Sequence, residues 1–320
     1  MIELKPYTYN NFQCPECNNG EIDTKDIIFQ GIHVLADCQC KKCNSEFITD
    51  FPFGQALFTP QTINKYSKSL YNKHYNYWFA DPLIESFLNK SNKDIKIEKK
   101  VYANHKSVVI LNCIDYLYGH VLLKLLNAQN YLDNNKDCGL IIIIPKSFEW
   151  LIPEGIAEVW LLDISLKDTK NWYLKLENFV KEEIKKYDEV FLSLAFSHPD
   201  FSKINIERFV KVKKYDFSGF TDKEINITFI LRKDRIWINS ELAFFVRLFE
   251  RLHLIKYSNK LTILFQKCLV ERTILKIKDI IPNANFNIVG LGSFGTFLNF
   301  INNYCETDLN TEKENNWCKF

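Results

Sequence analysis

Two Cys-x-x-Cys pairs, Cys14-Pro-Glu-Cys17 and Cys40-Lys-Lys-Cys43, stand 22 residues apart near the start of the chain and restrict what this segment can become. Thiols spaced by two residues converge on one point, and two such knuckles supply four sulfurs to a single tetrahedral ion. The residues between them suit a hairpin, with strand formers from Asp26 to Gln30 and from His33 to Ala36, and Gly31 at the turn. Gly20 is expected to let the chain reverse after the first knuckle. The set Cys14, Cys17, Cys40 and Cys43 suits Zn²⁺, and four thiolates leave no open coordination position, so the ion is expected to be structural. Cys38 is an alternative ligand; Cys40 is preferred because it alone forms Cys-x-x-Cys with Cys43.

Over roughly residues 12 to 50 this pattern resembles the zinc ribbon family. Five of the chain's 10 cysteines lie between Cys14 and Cys43, and the others are scattered singly. Such clustering belongs to a metal site in a reducing compartment rather than to a disulfide framework. The first residues show no basic segment followed by an apolar one, and the apolar run Leu140 to Ile144 is far too short to span a bilayer, so a cytoplasmic protein with no transmembrane segment is expected. With 41 basic against 39 acidic residues there is no global field to hold a nucleic-acid backbone. The knuckle segment is itself net acidic despite Lys41 and Lys42, which also argues against direct phosphate binding.

Residues 1–54 are read as the ribbon and 55–105 as a docked linker rich in aromatic rings, with Lys90 to Lys100 as a solvated face. A change of texture follows. Ser107 to Cys113, Cys138 to Ile144, Ala157 to Asp163 and Glu189 to Ala195 are short apolar runs, alternating with helical periodicity from Gly119 to Tyr131 and from Trp172 to Lys186. This alternation specifies a parallel sheet covered by helices, a first Rossmann-like unit over 106–219. A second, incomplete unit over 220–320 repeats the plan. Its expected strands are Ile225 to Leu231, Leu261 to Phe265 and Phe286 to Val289, and its expected helices Glu241 to Leu254 and Val270 to Ile281.

Open α/β sheets bind ligands beyond the carboxyl ends of their strands. Asp115, Tyr118, His120, Lys146, Asp163 and His198 follow strands of the first unit, and a base beside a carboxylate at such an edge can activate a hydroxyl. In the second unit Arg232 and Arg235 follow a strand, where guanidinium groups can clamp a diphosphate, and Asn239 can cap the helix opening near Glu241. Gly290-Leu-Gly292-Ser293-Phe-Gly295 fits G-x-G-x-x-G after a strand. It lacks the acidic strand end expected some 20 residues on, so a tight turn against a donor is preferred to an NAD site of an oxidoreductase.

The strand ending in Arg232, with Arg235, Asn239 and Glu241 after it, resembles the start of the second domain in two-Rossmann (GT-B) glycosyltransferases, in particular family 61. The segment Asn112 to His120 with Leu123 to Gln129 is similar to bacterial transferases that carry an N-terminal ribbon. The resemblance implies sugar transfer from a nucleotide-activated donor, bound in the cleft between two domains, to a glycan acceptor. In such a reaction Asp115 or His120, from its place at the sheet edge, is expected as base, and Arg232, Arg235, Lys146, Gly290, Gly292 and Ser293 are expected at the donor. Such transferases carry a His-Gly-(Ala/Ser) loop on a later strand of the second domain, and no His-Gly pair occurs here. The expectation is a transferase truncated at its C-terminus, inactive alone or completed by a separately encoded half. A non-catalytic scaffold whose ribbon recruits a partner is the rival reading.

Overall fold

Apolar runs without internal polar residues form the buried centre of a sheet in the first of two compact units, Met1–Lys214 and Tyr215–Phe320. The computed structural model describes residues 1–6, 11–71, 79–196, 199–211, 225–231 and 255–290, with Phe244, Leu248, Arg251 and Leu252. The first unit begins with strands β1 (Ile2–Lys5), β2 (Ile22–Phe29), β3 (Val34–Cys40), β4 (Glu46–Asp50), β5 (Thr62–Asn64) and β6 (Ser69–Leu70). Helix α1 (Ala80–Leu88), strands β7 (Ile97–Val101) and β8 (Ser107–Asn112), and helices α2 (Tyr118–Leu126) and α3 (Ala128–Asn134) follow. The unit continues through β9 (Gly139–Pro145), β10 (Glu158–Leu162), α4 (Leu174–Ile184), β11 (Glu189–Leu192) and the short helix α5 (Glu207–Val210).

The main sheet has the order β1-β11-β8-β9-β10-β7. Its four central strands are parallel, as the alternating runs predicted, and β9 and β10 are buried along their whole length. The chain steps from β8 through β9 to β10 in one direction and then returns to β11 on the far side of β8, so the order reverses between β8 and β11. Both edges were missed in the sequence. β1 pairs antiparallel with β11, and β7, cut from the lysine-rich stretch expected to be a solvated face, pairs antiparallel with β10. An edge strand tolerates lysines because its charged side chains can reach water, and Lys99 joins Glu158 and Glu183 at 2.9 and 2.6 Å.

Strands β2 to β6 form a separate antiparallel meander. The expected hairpin is present and longer than predicted, and β5 and β6, from the segment read as linker, extend the same sheet. Alternation along the strands gives this sheet two apolar faces. Phe29, Val34, Ala36 and Phe47 join the core of the main sheet, while Ile28, Leu35, Ile48 and Ile63 pack with Leu83 of α1 and Trp172. The meander is therefore stabilised by burial as well as by any ion, in contrast to a ribbon too small for a core.

Gly31 at the hairpin tip has φ +146° and lies so close to the segment before α4 that a Cβ would stand 3.0 Å from the Thr169 carbonyl oxygen. Only glycine meets both demands. Gly31→Ala is expected to cost about 1–3 kcal/mol, read as a lowered denaturant midpoint. An unchanged midpoint would contradict this close approach.

In the second unit β12 (Ile225–Leu231) and β13 (Ala284–Gly290) pair in parallel, with α6 (Ile255–Ile280) in the connection. Val270 and Ile274 of α6 pack with Ala284 and Phe286, and Phe229 stacks on Phe286 at 6.3 Å between centroids. The expected strand Leu261 to Phe265 is a correction: it lies inside α6. A short apolar run fits either structure, and 26 residues without glycine or proline let the helix continue through it. The helix expected from Glu241 to Leu254 lies largely outside the described residues. Among the described residues, the expected pair of Rossmann-like units is seen as one parallel-centred mixed sheet and one parallel strand pair with a connecting helix. No helix among the described residues is long and apolar enough to cross a membrane.

Candidate functional site

The two knuckles close at the far end of the β2–β3 hairpin from Gly31. Each repeats one piece of local geometry. Asn18 N–H donates to the Cys14 carbonyl and Asn44 N–H to the Cys40 carbonyl, both at 2.9 Å, and both asparagines are left-handed, with φ of 55° and 62°. Asparagine tolerates that conformation better than most residues with a side chain. The turn expected at Gly20 is therefore made by Asn18, and Gly20 does not adopt a positive φ.

The sulfurs of Cys14, Cys17, Cys40 and Cys43 all lie within 4.8 Å of one another. Cys14 Sγ is 3.5 Å from Cys43 Sγ, and Cys17 Sγ is 3.7 Å from Cys40 Sγ. Sulfurs about 2.3 Å from a central zinc occupy a tetrahedron with edges of about 3.8 Å, so the cluster fits such an ion. The four thiolates would hold it with no open position. The Ser45 hydroxyl and main-chain donors lower the Cys43 thiol below its ordinary range and main-chain donors do the same for Cys40, whereas at Cys17 the Asn19 N–H is outweighed by burial and the neighbouring thiols, which push that thiol up to about 12. Cys38 is not in the cluster. It is buried in the shared core, opposite Thr24 and Phe47, and burial pushes its thiol up to about 12.

The second candidate region is the carboxyl edge of the main sheet. Asp115, just beyond β8, is buried and accepts the Leu117 N–H at 3.1 Å. Lys124 of α2 reaches Asp115 Oδ2 at 3.0 Å and donates to the Ile114 carbonyl at 2.7 Å. His120 Nδ1 lies 3.4 Å from Asp115 Oδ1, with a third of the His120 side chain exposed. Burial works to raise the Asp115 carboxyl, but the Lys124 charge and the His120 contact outweigh it and hold it at about 2. A carboxylate this acidic is a weak base at neutral pH. It instead faces His120, whose Nδ1 is turned toward Asp115 Oδ1.

The meander reaches this same edge. Asn112 at the end of β8 donates through Nδ2 to the Gly31 carbonyl at 2.7 Å, and Gly54 N–H, just after β4, donates to the Leu194 carbonyl beyond β11 at 2.7 Å. The Phe53 ring lies 5.5 Å from Lys124 Nζ. Loops of the sheet that carries the cysteine cluster thus cover both strand ends flanking the reversal of strand order.

The remaining predicted residues are dispersed. Lys146 follows β9 and pairs with Glu98 of β7 at 2.9 Å. Tyr118 opens α2 with its ring 4.9 Å from Phe148, and Asp163 N–H donates to the Lys96 carbonyl at 2.9 Å. Gly290 ends β13. Arg232, Arg235, Asn239, Glu241, Gly292, Ser293 and His198 lie outside the described residues. Sequence reasoning missed Lys124 and Ser45. Lys124 could be found only as a lysine on an otherwise apolar helix face, beside Val121 and Leu125. The chain matches no family model, no curated protein and no solved structure.

Proposed function

We propose that this chain is a glycosyltransferase of the two-Rossmann type, in which a structural zinc holds the meander and His120 accepts the proton of the incoming hydroxyl. The observation that carries this reading is the Asp115–His120 pair at the carboxyl edge, with the imidazole partly exposed and its Nδ1 turned to the carboxylate. The strand order β10-β9-β8-β11 supports a Rossmann-like first unit, because it matches the 3-2-1-4 order of that fold. In the proposed reaction an acceptor hydroxyl loses its proton to His120 Nε2 and its oxygen bonds to the anomeric carbon of the donor. The bond from that carbon to the diphosphate breaks, and Arg232 and Arg235 take up the developing charge. The identity of donor and acceptor as sugars rests on the family resemblance.

Transfer assayed with the zinc-loaded chain and a panel of nucleotide sugars tests this reading. His120→Ala is expected to slow transfer by about 10²–10⁴-fold. Transfer undiminished in that variant removes His120 as base, and no transfer from any donor counts against the enzyme.

One observation favours a second reading, a non-catalytic platform. Gly31 and Gly54 of the meander bond to the strand ends where an open α/β sheet would hold its ligand. A chain that retains zinc and fold while neither binding nor turning over any nucleotide sugar would be that platform.

A further inference from the structure

We propose that Ser45 is a positioning residue of the metal centre, donating a hydrogen bond shared by the Cys14 and Cys43 thiolates. Its Oγ lies 3.1 Å from Cys14 Sγ and 3.2 Å from Cys43 Sγ, and so links the two knuckles through one hydroxyl. A metal-bound thiolate carries no proton, so the hydroxyl must be the donor, and its single proton is shared between the two sulfurs.

The local backbone places it there. Left-handed Asn44 turns the chain after Cys43, and the Ser45 carbonyl accepts the Cys40 N–H at 3.0 Å, tying the residue to the first ligand of its own knuckle. Four thiolates around a divalent ion carry a net charge of about −2, which donors to sulfur disperse. A hydrogen bond to a charged acceptor is about twice as strong as one between neutral groups, so losing this donor weakens metal binding directly. The inference concerns metal affinity and holds whether or not the chain transfers sugar.

Ser45→Thr and Ser45→Val provide the test, because their side chains have nearly the same shape and differ in the hydroxyl. Zinc affinity is measured by competition with a chromophoric chelator, and the thiolate-to-metal charge-transfer band is recorded with Co²⁺ in place of zinc. Ser45→Val is expected to bind zinc about 10–100-fold more weakly, with its cobalt band at longer wavelength because the thiolates donate more strongly. Ser45→Thr is expected to match the unsubstituted chain in both. Equal affinity in Ser45→Val, or a threonine variant as weak as the valine one, would overturn the proposal. An unchanged cobalt band, or failure of the unsubstituted chain to bind zinc, would overturn it as well.

Discussion

Stripped of metal by a strong chelator, or carrying Cys14→Ser or Cys40→Ser, the chain is expected to lose amide protection over residues 14–24 and 40–46 while β8, β9 and β10 stay protected. Zinc is expected to fall from one per chain to none in both variants and to be retained in Cys38→Ser. The size of the effect follows from two magnitudes. A structural zinc contributes about 10–16 kcal/mol in small peptides, comparable to the whole stability of a domain at about 5–15 kcal/mol. The knuckle end of the hairpin has little else to hold it, since Ile22 to Asp26 alternate between half-buried and exposed. From Ile27 onward the strand is buried on both faces, each large apolar side chain contributing about 1.5–3 kcal/mol. Metal loss therefore unravels the meander from one end and leaves its docked half in place. Hydrogen exchange with mass spectrometry distinguishes the outcomes, and either full protection without metal or collapse of the main sheet contradicts this division.

Lys124→Met is expected to destabilise the fold by about 3–5 kcal/mol, because it leaves a buried carboxylate without its counter-ion. Both side chains are at most 6% exposed, so solvent screening offers little relief. Asp115→Asn combined with Lys124→Met should recover much of the loss, since no uncompensated charge then remains. The pH dependence separates the variants further. In the unsubstituted chain the Asp115 carboxyl is held at about 2, below its ordinary value, so its contribution is complete above the unfolded-state pKa and is lost as pH falls toward 2. In Lys124→Met burial is no longer offset by that charge, the carboxyl rises, and stability should instead increase as acid protonates it. Denaturant unfolding from pH 7 to pH 4, where the Asp115 contribution in the unsubstituted chain stays complete, checks the sign, and a Lys124→Met chain that gains no stability relative to the unsubstituted one over that range would show that the pair is not a coupled unit.

The four-cysteine cluster was legible because two Cys-x-x-Cys pairs leave few geometric options, and the parallel strands were legible because Leu140 to Ile144 and its neighbours are too apolar to lie anywhere but the centre of a sheet. The same sequence contained an unread signal. Both knuckles continue with asparagine, Cys17-Asn18 and Cys43-Asn44, and that repeated residue, not Gly20, marks the turns. What stayed hidden depends on contacts distant in sequence. Nothing near Ile2 announces its pairing with Leu192, and Ile97 to Val101 reads as solvated until β10 lies beside it. The docking of Gly31 and Gly54 on the ends of β8 and β11 is of the same kind, and it changes how the candidate edge is understood. Asp115 is a charge fixed by Lys124 that can aim His120, whereas the sequence offered the two as equivalent bases.

Calorimetric titration of the zinc-loaded chain with a panel of nucleotide sugars tests the proposed reaction most directly. Saturable binding of at least one donor, abolished when Arg232→Ala and Arg235→Ala are combined, is the predicted result. No binding by any donor, or binding unaffected by loss of both arginines, would contradict it.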